Sequence, residues 1–138
     1  MYFIIINILS ESMVNPLFDS TFERSSVSLE ENLKKAITEL LVLSLLARHE
    51  CYIGELTDII REKSHGDLNI VFPYAAIYRM LDDEYIMEAK KRIAPDGRRR
   101  QYYQITEKGR KHLDLMLKVY QRFSQCVAGI LADGGQQE

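Results

Sequence analysis

The sequence predicts an α+β fold that is mostly helical, and three observations support this prediction. Apolar residues recur at helical spacing in three segments before residue 83, which predicts three compact helices. Two strand-like segments then flank the tetrapeptide Ala94-Pro95-Asp96-Gly97, whose proline and glycine favour a tight turn. A last helical segment carries apolar residues at alternating steps of three and four, as in a helix that packs along one seam.

The first predicted helix covers residues 33–48 and is apolar on more than one face. One stripe at helical spacing includes Ile37, Leu40, Leu41 and Leu45, and further apolar residues widen it. We expect such a helix to be buried on more than one side, against its own domain and against another element or subunit.

The next two predicted helices are shorter. The second covers 53–63, and a polar turn of serine, histidine, glycine and aspartate ends it at 64–67. The third begins at Pro73, which is tolerated at the start of a helix because proline lacks the N–H group. Its inward stripe consists of Ile77, Met80 and Leu81, which leaves Tyr74, Ala75, Tyr78 and Arg79 nearer the open side.

The two predicted strands, 86–92 and 98–105, form a strongly basic hairpin. The whole chain has a net charge of −2, so a general affinity for polyanions is not expected. Residues 86–111, in contrast, hold nine basic and three acidic side chains, a net charge of +6. This local concentration indicates a partner that carries phosphate groups.

The last predicted helix runs over 107–132 and begins after Thr106, a favourable N-cap residue. Its apolar positions follow a heptad pattern over about two and a half heptads, which is short for an independent coiled coil and suits a dimer interface. The predicted interface residues are Leu113, Met116, Tyr120, Phe123, Val127 and Ile130.

Three helices, a hairpin and a long helix in this order predict a winged helix-turn-helix with a long C-terminal dimerisation helix. We place an N-terminal extension at 1–28, the winged helix DNA-binding domain at 29–105 and the C-terminal dimerisation helix at 106–138. The extension opens with an apolar octamer that is too short to span a bilayer and lacks the basic flank of a signal peptide, so it receives no function and no membrane contact is expected.

Metal, cofactor and catalytic sites are not expected. Cys51 and Cys126 lie 75 residues apart and form no Cys-x-x-Cys pair, and the three histidines share no metal-ligand spacing with each other or with the cysteines. Two isolated cysteines suit a reducing cytoplasm. Phosphate loops, nucleophile elbows and other catalytic motifs do not occur, so the chain is not predicted to be an enzyme.

Three blocks of residues resemble the PadR-type transcriptional regulators and together span about residues 33–122. The strongest block fits that family's G-R-x-R-x-Y-Y-x-h-T-x-x-G pattern, where h is a hydrophobic residue. It reads Gly97-Arg98-Arg99-Arg100-Gln101-Tyr102-Tyr103-Gln104-Ile105-Thr106-Glu107-Lys108-Gly109-Arg110. The other two lie in the third predicted helix, at 76–81, and in the first, at 38–46. The family usually has a glycine before the wing, near the position of Glu84 here.

The resemblance implies a dimeric, cytoplasmic repressor that responds to an effector, and a short PadR subgroup with a single C-terminal helix. The predicted DNA-binding residues are those of the third helix and of the hairpin, where a recognition helix meets the major groove and a wing meets phosphates or the minor groove. They are Tyr74, Ala75, Tyr78, Arg79, Lys90, Arg98, Arg99 and Arg100.

Two alternatives remain open at these positions. The arginines also suit the solvated edge of a hairpin, where charge discourages aggregation, and Tyr78 also suits a half-buried packing position. Tyr102 and Tyr103 alternate in direction along a strand, so we expect one of them in the core. The resemblance implies that the other lines a dimer-interface cavity for a small hydrophobic or aromatic effector.

The predicted function is therefore sequence-specific binding of double-stranded operator DNA by a homodimeric repressor, which an unidentified small-molecule effector releases. The alternative is a winged-helix protein-interaction module that meets an acidic protein through its hairpin and does not bind operator DNA.

Overall fold

The computed structural model describes residues 20–71 and 73–136, so most of the predicted extension at 1–28 lies outside the described residues. The described part is mostly helical with a small sheet, which confirms the predicted α+β class. The elements in chain order are α1 (Ser20–Leu46), β1 (Cys51–Tyr52), α2 (Ile53–Lys63), α3 (Tyr74–Asp82), β2 (Ile86–Glu88), β3 (Arg92–Ile93), β4 (Arg99–Arg100), β5 (Tyr102–Ile105) and α4 (Glu107–Gln136).

The chain divides into two compact units. One unit, which we call the winged-helix unit, consists of residues 32–115. The other combines the chain up to residue 31 with the chain from residue 116 onward. The predicted domain boundaries at 28 and 105 differ from this division, because the first two turns of α4 belong to the winged-helix unit.

The core of the winged-helix unit is built from the apolar faces of its helices and from the sheet. Side chains in it with no exposed surface include Leu43 of α1, Leu56 of α2 and both Ile77 and Met80 of α3. On α1, Val42 and Leu43 are fully buried and Leu40, Leu45 and Leu46 nearly so, which confirms burial on more than one face. The helix also begins 13 residues earlier than predicted, since its polar first turns lack an apolar stripe.

A three-stranded antiparallel sheet holds the base of the hairpin, with the strand order β1-β5-β2. Cys51 pairs with Tyr103, and Ile86 pairs with Ile105. The strands β3 and β4 continue the hairpin as a separate two-stranded ladder in which Arg92 pairs with Arg100. The two long strands predicted at 86–92 and 98–105 are therefore each divided in two.

A bulge separates the two ladders. Residue 89 bonds to residue 102 and residue 92 pairs with residue 100, so Lys90 and Lys91 together lie opposite Gln101 alone. The Gln101 amide Nε2 donates to the carbonyl oxygens of Ala89 and Tyr102 at 2.5 and 2.9 Å, which holds the bulge closed. At the end of the hairpin, Gly97 adopts φ +83 and completes the predicted turn.

Helix α3 ends in a left-handed turn made by a residue other than glycine. The N–H of Tyr85 bonds to the Met80 carbonyl and that of Glu84 to the Leu81 carbonyl, which is the Schellman pattern. Glu84 occupies the left-handed position with φ 62, where glycine is favoured. Helix α2 ends in a similar way at His65, with φ 54, and Gly66 follows with φ 85 inside the polar turn predicted at 64–67.

The start of α4 is locked against the residues that lead into β2. The Thr106 hydroxyl accepts a hydrogen bond from the Gly109 N–H at 3.0 Å, which confirms the predicted N-cap, and it donates to the Glu84 carbonyl at 2.6 Å. Gly109 is buried, and a Cβ atom on it would lie 2.0 Å from the Tyr85 carbonyl oxygen. The threonine and glycine of the Thr-x-x-Gly motif are thus needed for one close contact between α4 and the chain before β2.

The residues of the predicted heptad seam of α4 differ in exposure within the described chain, and their role as a dimer interface stays a prediction. Leu113 is 8% exposed and lies in the core of the winged-helix unit. In the other unit, Val127 is half-buried, whereas Phe123 and Ile130 are 67% and 71% exposed. None of the helices in the described residues combines the length and the apolar content that a bilayer span requires.

Candidate nucleic-acid interface

Helix α3 presents one polar and aromatic face to solvent. Ala76, Ile77 and Met80 are buried and fix the rotation of the helix, so the residues between them face outward. The predicted contacts Tyr74, Ala75, Tyr78 and Arg79 are all exposed, and the tyrosine rings lie 6.5 Å apart between centroids. Tyr78 is 58% exposed, which does not fit the alternative of a half-buried packing residue.

The N-terminal end of α3 suits a phosphate group. Its first turn contains no acidic residue, and the helix begins at Pro73 without a side-chain cap. The positive end of the helix dipole at such a terminus attracts anions. Asp82 and Asp83 lie at the other end of the helix, which keeps their charge away from this terminus.

Arg79 is held against α1 by a carboxylate. Its guanidinium lies 3.3 Å from the Glu39 carboxylate on α1, and the other oxygen of that carboxylate lies 3.3 Å from Nε2 of His112 on α4. The His112 ring in turn stacks on the Tyr85 ring at 3.9 Å between centroids. Glu39 therefore connects the recognition helix with α4 inside the winged-helix unit.

Two wing arginines, Arg92 and Arg100, each bond to a carboxylate. Arg92 lies 3.5 Å above the Tyr102 ring, and its Nη1 donates to the Glu50 carboxylate at 2.7 Å. Arg100 donates to the Asp96 carboxylate, also at 2.7 Å. The hydrogen bond to Glu50 raises the pKa of Arg92, and the bond from Arg100 lowers the pKa of Asp96. Of the predicted DNA contacts, Arg100 is thus the one committed to a bond within the wing.

Lys90, Arg98 and Arg99 are exposed, and no carboxylate of the described residues lies within salt-bridge distance of their side chains. Arg98 and Arg99 lie at the tip, next to the turn, and Lys90 lies in the bulge. Lys91 shares the bulge and is equally exposed. It was not among the predicted contacts, although it contributes to the +6 charge of the region.

Both tyrosines of β5 are buried within the chain, and the expected effector cavity at a dimer interface stays a prediction. Tyr102 and Tyr103 are 5% and 7% exposed, because β5 is the central strand and has neighbours on both edges. Tyr102 is covered by Arg92 and by the edge of the Tyr52 ring at 5.4 Å. Burial raises the pKa of the Tyr103 hydroxyl.

Cys51 lies beside a histidine and a glutamate, a grouping that was not predicted from the sequence. Its Sγ lies 3.3 Å from Nδ1 of His49, and a Glu55 oxygen lies within 4.8 Å of both ligand atoms. The sequence signal was the spacing His-x-Cys-x-x-x-Glu, which becomes a cluster only because β1 leads directly into α2.

A helix-turn-helix with an exposed α3 face, followed by a hairpin with unpaired cations, defines a winged-helix DNA-binding protein. Comparison with protein families agrees with this class, since residues 42–115 match the transcriptional regulator PadR-like family. The chain belongs to this family. Membership confirms the predicted resemblance and the prediction that the protein regulates transcription and is not an enzyme.

Solved structures show the same fold. A PadR-like transcriptional regulator from Bacillus cereus aligns with a TM-score of 0.62 and 23% identity over 78% of this chain and 99% of that chain. A Streptococcus transcriptional regulator aligns with a TM-score of 0.60 and 26% identity over 71% and 95% of the two chains. A PadR family regulator from Clostridium difficile gives 0.59 and 23% over 69% and 98%. Curated protein sequences gave no match.

Proposed function

We propose that this DNA-binding regulator is a repressor that binds a specific operator as a homodimer and is released by a small hydrophobic or aromatic effector. We infer the DNA contact from two features that occur together. One is the exposed face of α3, and the other is the set of wing cations whose side chains have no carboxylate partner among the described residues. We place its site of action in the cytoplasm, where a regulator of this family meets operator DNA.

The two surfaces divide the work of recognition. Tyr78 and Arg79, both exposed on α3, contact base edges or the phosphates that border the major groove. Arg98 and Arg99 point to opposite faces of the hairpin, so one of them follows the phosphate backbone while the other reaches the minor groove. Phosphate contacts then supply affinity and position, and the α3 contacts supply specificity.

The apolar surface of α4 supports the homodimer. Val119, Phe123 and Ile130 lie on one face of the helix at steps of four and seven residues and are 55%, 67% and 71% exposed. Cys126 is exposed on the same face. A stripe of this kind on one helix is complementary to itself across a two-fold axis. It shares Phe123 and Ile130 with the predicted seam, while the predicted Met116, Tyr120 and Val127 lie on the adjacent face.

Replacing Phe123 with glutamate tests the dimer. We expect Phe123→Glu to be monomeric in analytical ultracentrifugation and to lose operator affinity, because it places a charge in the apolar stripe. The control Gln125→Glu adds the same charge at an exposed position on the opposite face of α4 and is expected to stay dimeric. A monomeric Phe123→Glu variant that bound the operator with undiminished affinity would contradict the proposal.

Glu39 gives the effector a route to the recognition helix. An effector that favours one dimer geometry changes the position of α4, and the carboxylate that contacts His112 also holds Arg79. The effector releases the repressor to the extent that it prefers the geometry in which the two α3 helices no longer lie about 34 Å apart.

Fluorescence anisotropy of the full chain with its own upstream DNA tests the proposed function directly. We expect tight binding to this duplex, weaker binding to a scrambled duplex, and loss of affinity as the salt concentration rises. Absence of salt-sensitive binding to any promoter fragment would overturn it. A stable complex with an acidic protein, unaffected by competing DNA, would then favour the protein-interaction module.

A further inference from the structure

Three side chains that can hold a metal ion meet where the chain passes from α1 through β1 into α2. His49 lies in the turn after α1, Cys51 is the first residue of β1, and Glu55 lies in the first turn of α2. Their ligand atoms all lie within 4.8 Å of one another, and the distance from His49 Nδ1 to Cys51 Sγ is 3.3 Å. The cluster is therefore set up by local chain geometry rather than by a long-range contact.

The spacing fits a tetrahedral metal site. Zinc binds sulfur at about 2.3 Å and nitrogen or oxygen at about 2.0 Å, so ligand atoms of one site lie roughly 3.3–3.7 Å apart. The His49–Cys51 distance falls at the lower end of this range. The widest separation in the cluster exceeds it by about 1 Å, which rotation of the exposed His49 and half-buried Glu55 side chains can close.

We propose that His49, Cys51 and Glu55 bind one zinc-class divalent cation at the junction of α1, β1 and α2. A thiolate, an imidazole and a carboxylate form a mixed set that zinc accepts, whereas calcium and magnesium require oxygen ligands. Three protein ligands leave a fourth position for water, on the side where His49 is exposed.

The protonation states balance in a simple way. His49 Nδ1 also lies 3.0 Å from the Glu50 carbonyl oxygen, and the ring turns away from this oxygen when it binds a cation. It then coordinates through Nδ1 with its proton on Nε2, Glu55 coordinates through a carboxylate oxygen, and the Cys51 thiol loses its proton to bulk water as the sulfur–metal bond forms.

The site is placed to affect the wing. Glu50, between two of the ligands, binds Arg92 at 2.7 Å. Tyr52, next to Cys51, contacts the Tyr102 ring, and Arg100 lies 5.6 Å from the Tyr52 ring. Binding of a cation therefore affects Glu50 and Tyr52, the two residues that contact the base of the wing. This second step, a change in DNA affinity on metal binding, rests on the proposed function.

Cobalt(II) titration of the reduced, metal-free full chain tests the site itself. We expect one cobalt per chain, with the near-ultraviolet charge-transfer band of a thiolate ligand. Cys51→Ser abolishes this band, and His49→Ala and Glu55→Gln weaken binding at least tenfold. The controls Cys126→Ser and His65→Ala, which change the other cysteine and a histidine outside the cluster, keep the band and the affinity.

A second measurement that does not replace Cys51 accompanies the titration, because Cys51 is buried and its replacement can unfold the chain. Zinc raises the thermal midpoint of the wild-type chain and of Cys126→Ser, and leaves that of Glu55→Gln unchanged. A wild-type chain without the charge-transfer band, or a band that is lost in Cys126→Ser and kept in Cys51→Ser, overturns the site.

Operator titration with the metal-free and the zinc-loaded chain tests the effect on the wing. We expect at least a fivefold difference in affinity between the two forms, and none for Glu55→Gln. Cobalt binding without any change in operator affinity overturns the coupling to the wing. A chain that binds cobalt and binds no DNA in either form contradicts the proposed function and leaves the metal site standing.

Discussion

The wing contains two pairs of arginines that the sequence places almost side by side and that the fold treats differently. Arg92 and Arg100 lie opposite each other in one ladder and are bonded to Glu50 and Asp96. Arg98 and Arg99 directly precede Arg100, and their side chains have no carboxylate within salt-bridge distance among the described residues. One pair holds the wing in place, and the other is available for a phosphate-bearing partner.

This difference shows that the number of arginines in a hairpin says little about how many can reach DNA. The partner of Arg92 lies 42 residues away in sequence, in the turn before β1. The partner of Arg100 belongs to the hairpin turn itself. A guanidinium bonded to a carboxylate has its charge largely satisfied, so it adds less to the attraction of a phosphate than an unpaired one.

The largest expected effect is a loss of stability when the close contact between α4 and the chain before β2 is broken. In Gly109→Ala, the new Cβ collides with the Tyr85 backbone carbonyl, which has no room to move because Thr106 also binds there. We expect a loss of about 3 kcal/mol or more of the free energy of unfolding, measured by urea denaturation. Gly129→Ala, where a Cβ has nothing within 4 Å, is the control. An unchanged midpoint for Gly109→Ala would show that α4 does not approach β2 this closely.

The comparison of the two arginine pairs is sharpened by removing one pair at a time. Each double variant, Arg98→Ala/Arg99→Ala and Arg92→Ala/Arg100→Ala, deletes two positive charges from the same hairpin. The tip variant is expected to lose about 10- to 100-fold in operator affinity and to reduce the slope of log K against log salt by about 2. Its thermal midpoint stays unchanged.

The base variant is expected to show the opposite balance, with a lowered thermal midpoint and less than a tenfold loss of operator affinity. Anisotropy at two salt concentrations and thermal denaturation provide both measurements. Equal losses of affinity in the two double variants would mean that total charge, and not the presence of a partner, decides the contribution of a wing arginine.

The smallest effect concerns the turn that leads into the wing base. Glu84→Gly relieves the left-handed conformation and is expected to stabilise the chain by about 0.5–1 kcal/mol without a change in operator affinity. The control Asp83→Gly changes the neighbouring residue, which has φ −81, and is expected to destabilise by a similar amount. Stabilisation in both variants would point to loss of acidic charge rather than relief of the turn.

The sequence was sufficient for the order of elements, because apolar periodicity and turn residues are local signals. The α3 face, the Thr106 cap and the turn at Gly97 were all predicted from residues within a few positions of each other. Glu84 stands near a position where the family usually has a glycine, and the structure gives the physical reason, because the backbone of Glu84 is left-handed.

The ion-pair partners of the charged residues could not be predicted from the sequence in this way. Nothing near Arg92 in sequence indicates Glu50, and nothing near Arg79 indicates Glu39, since both contacts require the tertiary fold. The burial of both Tyr102 and Tyr103 depended on β5 becoming the central strand, which the very short β1 brings about. Similarly, the heptad pattern of α4 did not reveal that Leu113 belongs to the core of the winged-helix unit.

The bulge at Lys90 and Lys91 shifts the phase of side-chain alternation between the two halves of the hairpin. Strict alternation from Ala89 would place Arg92 on the face away from Tyr102, and the extra residue brings it back to the Tyr102 face. On this strand, the faces of the side chains beyond the bulge are therefore not fixed by the alternation of the side chains before it. Two residues added to each strand beyond the bulge would extend the reach of the tip by about 6.6 Å and leave every arginine on its present side.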